Sequence, residues 1–276
     1  MKLGVEEMRE ISKSVKSNLI IARQTFLNSM VFRTNYIIDI VVDLIFVLLS
    51  IMLWTTIFKD NPSQNITSLA TLITYVGLTK IVAQIDMKFV WDIQSRILSG
   101  EIAIELVRPI KLRTYLFAQE LGRYFNNLLI KTIPLYVLIY FLFGIDLPKS
   151  FSAVLLFILS IFLSYILLFN LNYITALAAF WITKLFSLSV FKDQTIRLLS
   201  GAIVPLWFFP DWLFSITKYL PFAGIVFLPL NIYLGKVSTT ETIEAFMLQI
   251  IWILITTFIG SMMWKKIVSN LAINGG

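Results

Sequence analysis

The chain has 276 residues, of which 58% are hydrophobic and 14% are charged, and its formal net charge is +7. An ordinary soluble domain carries roughly 25% charged residues, so the composition argues against a soluble protein and indicates a bundle of membrane helices. Cys and His are both absent, which excludes disulfides, thiolate chemistry, imidazole catalysis and His-based zinc sites. The anionic inner leaflet of a membrane accounts for the positive charge better than nucleic acid does.

The N-terminal segment, residues 1–35, is predicted to be an amphipathic helix lying in the inner membrane interface. Its apolar residues recur every three or four positions, from Ile11 through Val15 and Leu19 to Met30. Basic residues take the other faces of the helix. A helix packed on a soluble partner is the alternative interpretation.

Residues 36–276 are predicted to form one all-α transmembrane domain with six spans. A crossing needs about 20 predominantly apolar residues, and six apolar stretches meet this length. These stretches are Tyr36–Phe58, Thr67–Val90, Tyr124–Gly144, Phe151–Thr183, Leu185–Trp207 and Thr242–Trp264.

The distribution of Lys and Arg orients this bundle. With the N-terminus inside, 17 of the 23 basic residues fall on the cytoplasmic side and four fall outside. Because basic residues accumulate in cytoplasmic loops, both termini are expected in the cytoplasm. The chain is therefore predicted to be a multi-pass protein of the plasma membrane, of bacterial origin.

A charged and helical segment, residues 91–113, separates the second and third predicted spans. Its apolar residues Ile93, Ile97 and Leu98 are surrounded by polar ones, and Gly100 is a plausible helix end. Pro109 ends the following turn, because proline disfavours a helical residue before it. A short rod of this kind can transmit rigid-body motion between two spans, whereas a solvated loop is the alternative.

An aromatic and proline-rich segment, residues 208–235, separates the fifth and sixth predicted spans. It stays apolar but is interrupted by Pro210, Pro221 and Pro229, which favours short re-entrant helices at the outer face over one crossing. We expect an outer gate here, and an aromatic belt at the membrane interface is the alternative. The candidate gate residues are Pro205, Phe209, Pro210, Trp212, Pro221 and Phe222.

Ionisable residues lie in the interior of the first two predicted spans. Asp39 and Asp43 lie four residues apart on one helix face, and Lys80 lies at a similar depth, so Asp43 and Lys80 are predicted to form an ion pair. The alternative is a cation relay, in which an ion-coupled secondary transporter uses Asp39, Asp43 and Lys80.

Four asparagine amides fall on the third and fourth predicted spans. They indicate either interhelical hydrogen bonds or a substrate path. These amides belong to Asn126, Asn127, Asn170 and Asn172.

Three segments, Leu98–Ile110, Leu199–Leu213 and Leu220–Gly235, resemble the permease subunits of ABC type-2 exporters. In the first, a glycine turn precedes a short helix that ends in Arg-Pro. In the second, Ser-Gly precedes a proline and then the pattern Phe-Pro-x-Trp. The third contains Leu-Pro-Phe followed by Leu-Pro-Leu.

The resemblance implies a transport complex. Two permeases, identical or related, would form the translocation pathway with two ATPase subunits docked on the cytoplasmic side. The inner loop would carry the coupling helix that meets the ATPase. Its candidate contact residues are Asp92, Gln94, Ser95, Arg96, Ile97, Ser99, Gly100 and Glu101.

The chain itself is predicted to be non-catalytic. It has no G-x-x-x-x-G-K-[ST] loop for nucleotide phosphates, so ATP and Mg²⁺ are expected in the partner ATPase. No cluster of nucleophiles or metal ligands supports an intramembrane enzyme. No cofactor or metal is expected in this chain, and its predicted partners are ATPase subunits, a second permease and membrane lipid, without nucleic acid.

Overall fold

A computed structural model describes residues 2–30, 33–60, 68–83, 87–103, 110–148, 150–182 and 184–274. Side chains are described within these ranges from residue 15 to residue 270, except for 33–35 and 58–60. The described part of the chain is helical and contains no strand. The expectation of an all-α membrane protein is therefore confirmed at this level.

The N-terminal half contains two long helices followed by two short ones. Ser68 caps the third helix, because its side chain accepts a hydrogen bond from the backbone N–H of Thr71. The four helices are α1 (Lys2–Ser29), α2 (Arg33–Asp60), α3 (Leu69–Val82) and α4 (Phe89–Leu98).

The next helix continues through a π-helical segment, Leu128–Thr132, without a break in the chain. It consists of α5 (Leu112–Asn127), this π segment and α6 (Ile133–Phe143). Gly144 ends α6 in the left-handed region, with φ +62°.

The C-terminal half alternates long helices with short ones. Ser150 caps the first of them by accepting a hydrogen bond from the N–H of Ala153. Ser238 and Glu241 form a reciprocal capping box at the start of the last. The helices are α7 (Phe151–Ala178), α8 (Phe186–Leu199), a 3₁₀ turn (Leu206–Phe208), α9 (Asp211–Thr217), α10 (Phe227–Tyr233) and α11 (Thr239–Asn274).

Four helical stretches in the described residues are long and apolar enough to cross a membrane. They are Tyr36–Ile57, Leu112–Phe143, Phe151–Ala178 and Thr239–Asn270. The other two predicted spans correspond to α3 and α8. Each has 14 residues. At 1.5 Å per residue a helix of that length covers about 21 Å, less than the ~30 Å of a hydrocarbon core.

Both shorter helices end where the backbone turns. The predicted span Thr67–Val90 is divided between α3 and α4. The predicted span Leu185–Trp207 is helical only as far as Leu199, because Gly201 adopts φ +82° and Pro205 follows. Hydropathy continues across such breaks, so the sequence pattern did not reveal them.

The centre of the bundle is α7, which packs against α4, α10 and α11. Its residues Tyr165, Leu167 and Phe169 are fully buried. On one side α1 packs along α5, and the two helices approach closely at Gly122. A Cβ atom there would lie 2.2 Å from the carbonyl oxygen of Ala22. On the other side α2 packs against α3, the π segment and α6.

The face of α1 that points away from α5 is exposed. It presents Leu19 and Ile20 together with the basic residues Lys16 and Arg23. One face of α1 thus packs against α5, and the opposite, exposed face combines apolar and basic side chains.

Candidate functional site

The short helix α4 is anchored along one face. Phe89, Val90 and Ile93 are buried, and the ring of Phe89 lies 5.3 Å from the ring of Phe169 in α7. The end of α4 is open, since Leu98 is 61% exposed. The helix is therefore a rod with one buried face and a free tip.

An ion-pair network joins α4 to α5. The guanidinium of Arg123 lies 3.4 Å from a carboxylate oxygen of Asp92 and forms a short ion pair with Glu120. Glu120 is buried, so its charge depends on this partner. Two carboxylates therefore share one guanidinium where α4 meets α5.

Gly100 terminates α4 in the left-handed region with φ +79°. A Cβ atom at this position would touch nothing within 4 Å, so the backbone conformation rather than space requires glycine. The turn exposes Ser99 and Glu101 beside Gly100, while Ile102 folds back and is buried.

The structure brings the eight predicted coupling residues together on α4 and this turn. Asp92, Gln94, Arg96 and Ile97 are half-buried, and Ser95, Ser99, Gly100 and Glu101 are exposed. The Arg-Pro end of the predicted second turn, residues 108–109, lies outside the described residues.

The ionisable residues of α2 and α3 form a cluster with a third element. The ammonium nitrogen of Lys80 lies 3.7 Å from Asp43, and that of Lys131 lies 3.0 Å from Asp43 and 3.9 Å from Asp39. Lys80 also lies 4.5 Å from the centre of the Phe46 ring. Asp43 therefore interacts with two lysines from two different elements.

Sequence reasoning did not assign Lys131 to this cluster, although its place inside the third predicted span was a signal. Lys131 lies in the π segment, where one extra residue per turn changes the direction of the side chains that follow. Single-turn π segments of this kind frequently occur at functional sites.

Three of the four predicted amides form hydrogen bonds between helices. Asn126 accepts from the hydroxyl of Tyr36 at 2.7 Å and donates to the carbonyl of Phe26 at 3.1 Å, which joins α5 to α1 and α2. Asn172 accepts from the ammonium of Lys192 in α8. Asn170, described next, is the third.

A second network joins α5, α7 and α11. Arg113 donates to the side-chain oxygens of Asn170 at 2.8 Å and Thr257 at 2.9 Å. The amide nitrogen of Asn170 donates to the hydroxyls of Thr256 and Thr257. Arg113 is the last residue of the predicted coupling segment, residues 91–113, and sequence reasoning gave it no role of its own.

The fourth amide differs from the other three. Asn127 is half-buried and forms no side-chain hydrogen bond within the described part of the chain. It is therefore the amide with free capacity for another group.

The outer segment, residues 208–235, and the backbone just before it pack against the surrounding helices. Tyr75 of α3 donates to the carbonyl of Gly201 at 2.9 Å. Gln249 of α11 and Ser164 of α7 both donate to the carbonyl of Gly224 at 2.7 Å. Side chains of the surrounding helices thus satisfy carbonyls of non-helical backbone.

Aromatic contacts hold the start of this segment. The ring of Trp207 lies 4.7 Å from that of Tyr75, and Phe208 stacks on Trp54 of α2 at 4.8 Å. The ammonium of Lys236 lies 4.2 Å from the centre of the Trp207 ring, and partial burial lowers the pKa of Lys236 from its ordinary value.

The six predicted gate residues divide into two groups. Pro205 and Pro221 are buried and Phe209 and Phe222 are half-buried, so these four belong to the folded segment. Pro210 and Trp212 are exposed at the start of α9.

The family of the chain follows from comparison with known sequences. The sequence model described as "ABC-2 family transporter protein" matches residues 44–275, from the middle of α2 through α11. The chain belongs to the ABC-2 transporter family. The resemblance inferred from the coupling and outer segments is thereby confirmed. No curated protein matches the chain significantly.

Membership in the ABC-2 family makes the chain a component of a membrane transport system. Membrane proteins of this family are generally non-catalytic and work with ATPase subunits. The matched region contains the whole of α4, the outer segment, Lys80 and Lys131. Asp39 and Asp43 lie just before it, as does α1.

Proposed function

We propose that the chain is the permease subunit of an ATP-driven ABC exporter in a bacterial plasma membrane. Both of its termini lie in the cytoplasm, and the chain performs no catalysis. Six crossings are made by α2, α3, α5 with α6, α7, α8 and α11. Backbone next to α3 and α8 completes their crossings, and the segment from the 3₁₀ turn through α10 is re-entrant at the outer face.

The observation that carries the proposal is the arrangement of α4. A helix that is buried on one face and exposed at its tip can be displaced by a partner that contacts the tip, and it transmits that displacement to the bundle. Two separate ATPase subunits, which bind ATP and Mg²⁺, contact the exposed tip formed by Leu98, Ser99 and Glu101.

Two contacts transmit the displacement of α4 to the other helices of the bundle. The first is the ion pair between Asp92 and Arg123, which moves α5 with α4. The second is the network of Arg113 with Asn170 and Thr257, which connects the start of α5 to α7 and α11. Nucleotide shifts the permease between conformers only to the extent that the ATPase binds one conformer more tightly.

A second permease, identical or related, packs on the side formed by α2 and α8. Long stretches of α2 expose apolar side chains, and α8 exposes apolar residues such as Phe191 together with the polar residues Gln194 and Arg197. Cargo leaves along this seam, and the outer segment opens to release it. Asn127, with its unused amide, lies on the helix that follows the coupling segment and is a candidate contact for cargo.

An ion-coupled carrier that uses Asp39, Asp43 and Lys80 is the second candidate, and the charge cluster in the membrane favours it. Against it stands the engagement of Asp43 with both Lys80 and Lys131, which occupies the carboxylate that a coupling cation would need to reach. Transport driven by an ion gradient in vesicles that contain this chain without an ATPase would select the carrier.

The exposed tip of α4 provides the test. Leu98→Glu is expected to reduce the amount of ATPase that co-purifies in mild detergent roughly tenfold, which corresponds to about 1.4 kcal/mol of binding free energy. The matched control is Val268→Glu, which places the same charge at an exposed apolar position near the end of α11. The control is expected to retain the ATPase.

Two results contradict the proposal. One is a wild-type chain that purifies from its own host without any ATPase. The other is a Leu98→Glu variant that retains ATPase and ATP-driven transport as the wild type does. Thermal unfolding of both variants checks that the permease itself remains folded.

A further inference from the structure

An arginine on α8 lies at membrane depth. Tyr75 of α3 is bonded to the carbonyl of Gly201, so α3 and α8 are neighbours at that level. Arg197 lies one turn before Gly201, and Lys80 lies little more than one turn after Tyr75. Both cations are thus on the same side of the Tyr75–Gly201 bond, beneath the outer segment.

Arg197 has no partner of its own among the described residues. Its side chain is exposed and forms no hydrogen bond or ion pair with any residue that the structure describes. Its charge instead repels that of Lys80, as does the charge of Lys131. The nearest anion in the cluster, Asp43, is already shared by the two lysines.

The local charge is therefore unbalanced. Arg197, Lys80 and Lys131 contribute three positive charges, and Asp39 and Asp43 contribute two negative ones. Asp193, one turn before Arg197 on α8, lies 3.0 Å from Lys192, and this ion pair adds no net charge. The Asp39 side chain is 55% exposed and lies 3.9 Å from Lys131, so it adds little compensation at Arg197. One positive charge at membrane depth remains without a counter-charge in the described part of the chain.

The imbalance indicates a missing anion. An ionisable side chain within a membrane costs several kcal/mol unless it finds a partner or water, which makes such residues functional-site candidates. Gln194 lies three residues before Arg197 on the same face of α8 and is also exposed, which adds a neutral donor beside the guanidinium. A guanidinium fork with an amide beside it suits the oxygens of a phosphate group.

We propose that Arg197, assisted by Gln194 and by the excess positive charge at Lys80, binds the phosphate group of a molecule in the membrane. The site lies on the side of the bundle where α2 and α8 are exposed. The site rests on the proposed function and deepens it. It lies at the seam between the two permeases, along which cargo leaves, and it specifies a phosphate group as what that seam recognises. The phosphate belongs either to a lipid headgroup or to a free anion that enters the seam.

Lipid retention by the purified full-length chain tests this site. The chain is placed in nanodiscs of phosphatidylcholine with a minor fraction of phosphatidylglycerol, and retained lipids are counted by native mass spectrometry. Both lipids carry a phosphate, but the choline ammonium of phosphatidylcholine neutralises its own, so the preference for phosphatidylglycerol reports binding of a phosphate without a counter-charge. Arg197→Gln is expected to lower this preference roughly tenfold, since it removes a charge-assisted bidentate contact. Gln194→Leu lowers it by a smaller factor.

Two further variants distinguish a specific phosphate site from the general electrostatic attraction of anionic lipid to basic residues. Arg23→Gln removes one positive charge from the exposed face of α1, where interfacial charge attracts anionic lipid only in general, and is expected to lower the preference much less than Arg197→Gln does. Arg197→Lys keeps the charge but loses the planar fork, so its preference should fall between those of wild type and Arg197→Gln. Thermal unfolding of each variant confirms that it is folded.

Inorganic phosphate distinguishes the two sources. If millimolar inorganic phosphate displaces the retained lipid from wild type, the phosphate group alone is recognised, and if it does not, the site requires a lipid-anchored headgroup. Both results support the site. It is overturned if Arg197→Gln keeps the wild-type preference, or if Arg23→Gln loses as much of it. The measurement uses neither ATPase nor nucleotide, so its failure is distinguishable from failure of ATP-driven transport.

Discussion

The helices α2 and α7 are equally long and equally apolar, yet they occupy different places in the bundle. Each has 28 residues, and their apolar windows have the same mean hydropathy. The window in α7 is 28% buried inside the protein, and that in α2 is 11% buried. Hydropathy therefore identifies both as membrane helices without distinguishing the centre of the bundle from its edge.

The polar residues of the two helices differ in kind. Buried neutral groups, among them Ser160, Ser164 and Asn170, lie on α7 and bond to α11 or the outer segment. The polar residues of α2 that form contacts between elements include the carboxylates Asp39 and Asp43, which interact with Lys131 near an exposed edge. Hydrogen bonds between neutral groups hold α7 at the centre of the bundle, whereas ion pairs connect α2 at its edge.

The largest effect is expected from breaking the network on α7. Asn170→Leu removes the amide that accepts from Arg113 and donates to α11, and it leaves the guanidinium with fewer partners. We expect a loss of about 2 kcal/mol in unfolding free energy, because several bonds are lost and one is charge-assisted. The measurement is thermal unfolding of the purified chain in detergent.

The control for this prediction is Asn127→Leu, which removes a half-buried amide that forms no side-chain hydrogen bond among the described residues. Its effect is expected to stay below about 0.5 kcal/mol. Equal melting temperatures for the Asn170 and Asn127 variants would show that the network does not stabilise the centre of the bundle.

A smaller effect is expected from the charges of α2. Asp43→Asn leaves Lys80 and Lys131 without their shared carboxylate and is expected to cost about 1–2 kcal/mol, since the cluster is only partly buried. Adding Lys131→Met should restore more stability than adding Lys80→Met, because Lys131 lies 3.0 Å from Asp43 and Lys80 lies 3.7 Å away. Melting temperatures of the single and double variants measure this order.

Asp39→Asn is the matched control, because it neutralises the more exposed carboxylate of the same helix face and should change the melting temperature least. If neither double variant is more stable than Asp43→Asn alone, the ion pairs do not hold α2 to α3 and the π segment.

The smallest effect on stability is expected in the outer segment, where the same contrast between edge and centre recurs. Trp212 of α9 is 66% exposed, whereas Val226, just before α10, is 1% exposed. With cysteine in place of Trp212, a membrane-impermeant maleimide should label intact cells from outside, and with cysteine in place of Val226 it should not. Labelling of the Trp212→Cys variant only after permeabilisation would reverse the proposed orientation.

Much of the architecture was predictable from sequence, and the failures have a common origin. Long apolar stretches located the helices, and spacing placed Asp43 and Lys80 at one depth. The same spacing could not show that α3 ends at Val82 or that α8 ends at Leu199, because apolar residues continue past both breaks. It also could not assign Lys131 to Asp43. Lys131 lies in the π segment, where side chains point in other directions than they would on a regular α-helix.

The amino-acid sequence by itself determined that the chain is an apolar helical membrane protein with a charged amphipathic break and the motifs of the ABC-2 family. These properties depend on composition and on residue spacing along one helix, which need no knowledge of neighbours. Only the tertiary structure decided which helix lies at the centre, which lysines share Asp43 and that Arg197 has no counter-charge among the described residues. Those outcomes depend on how each helix is rotated and where helices cross, and packing between distant segments sets both.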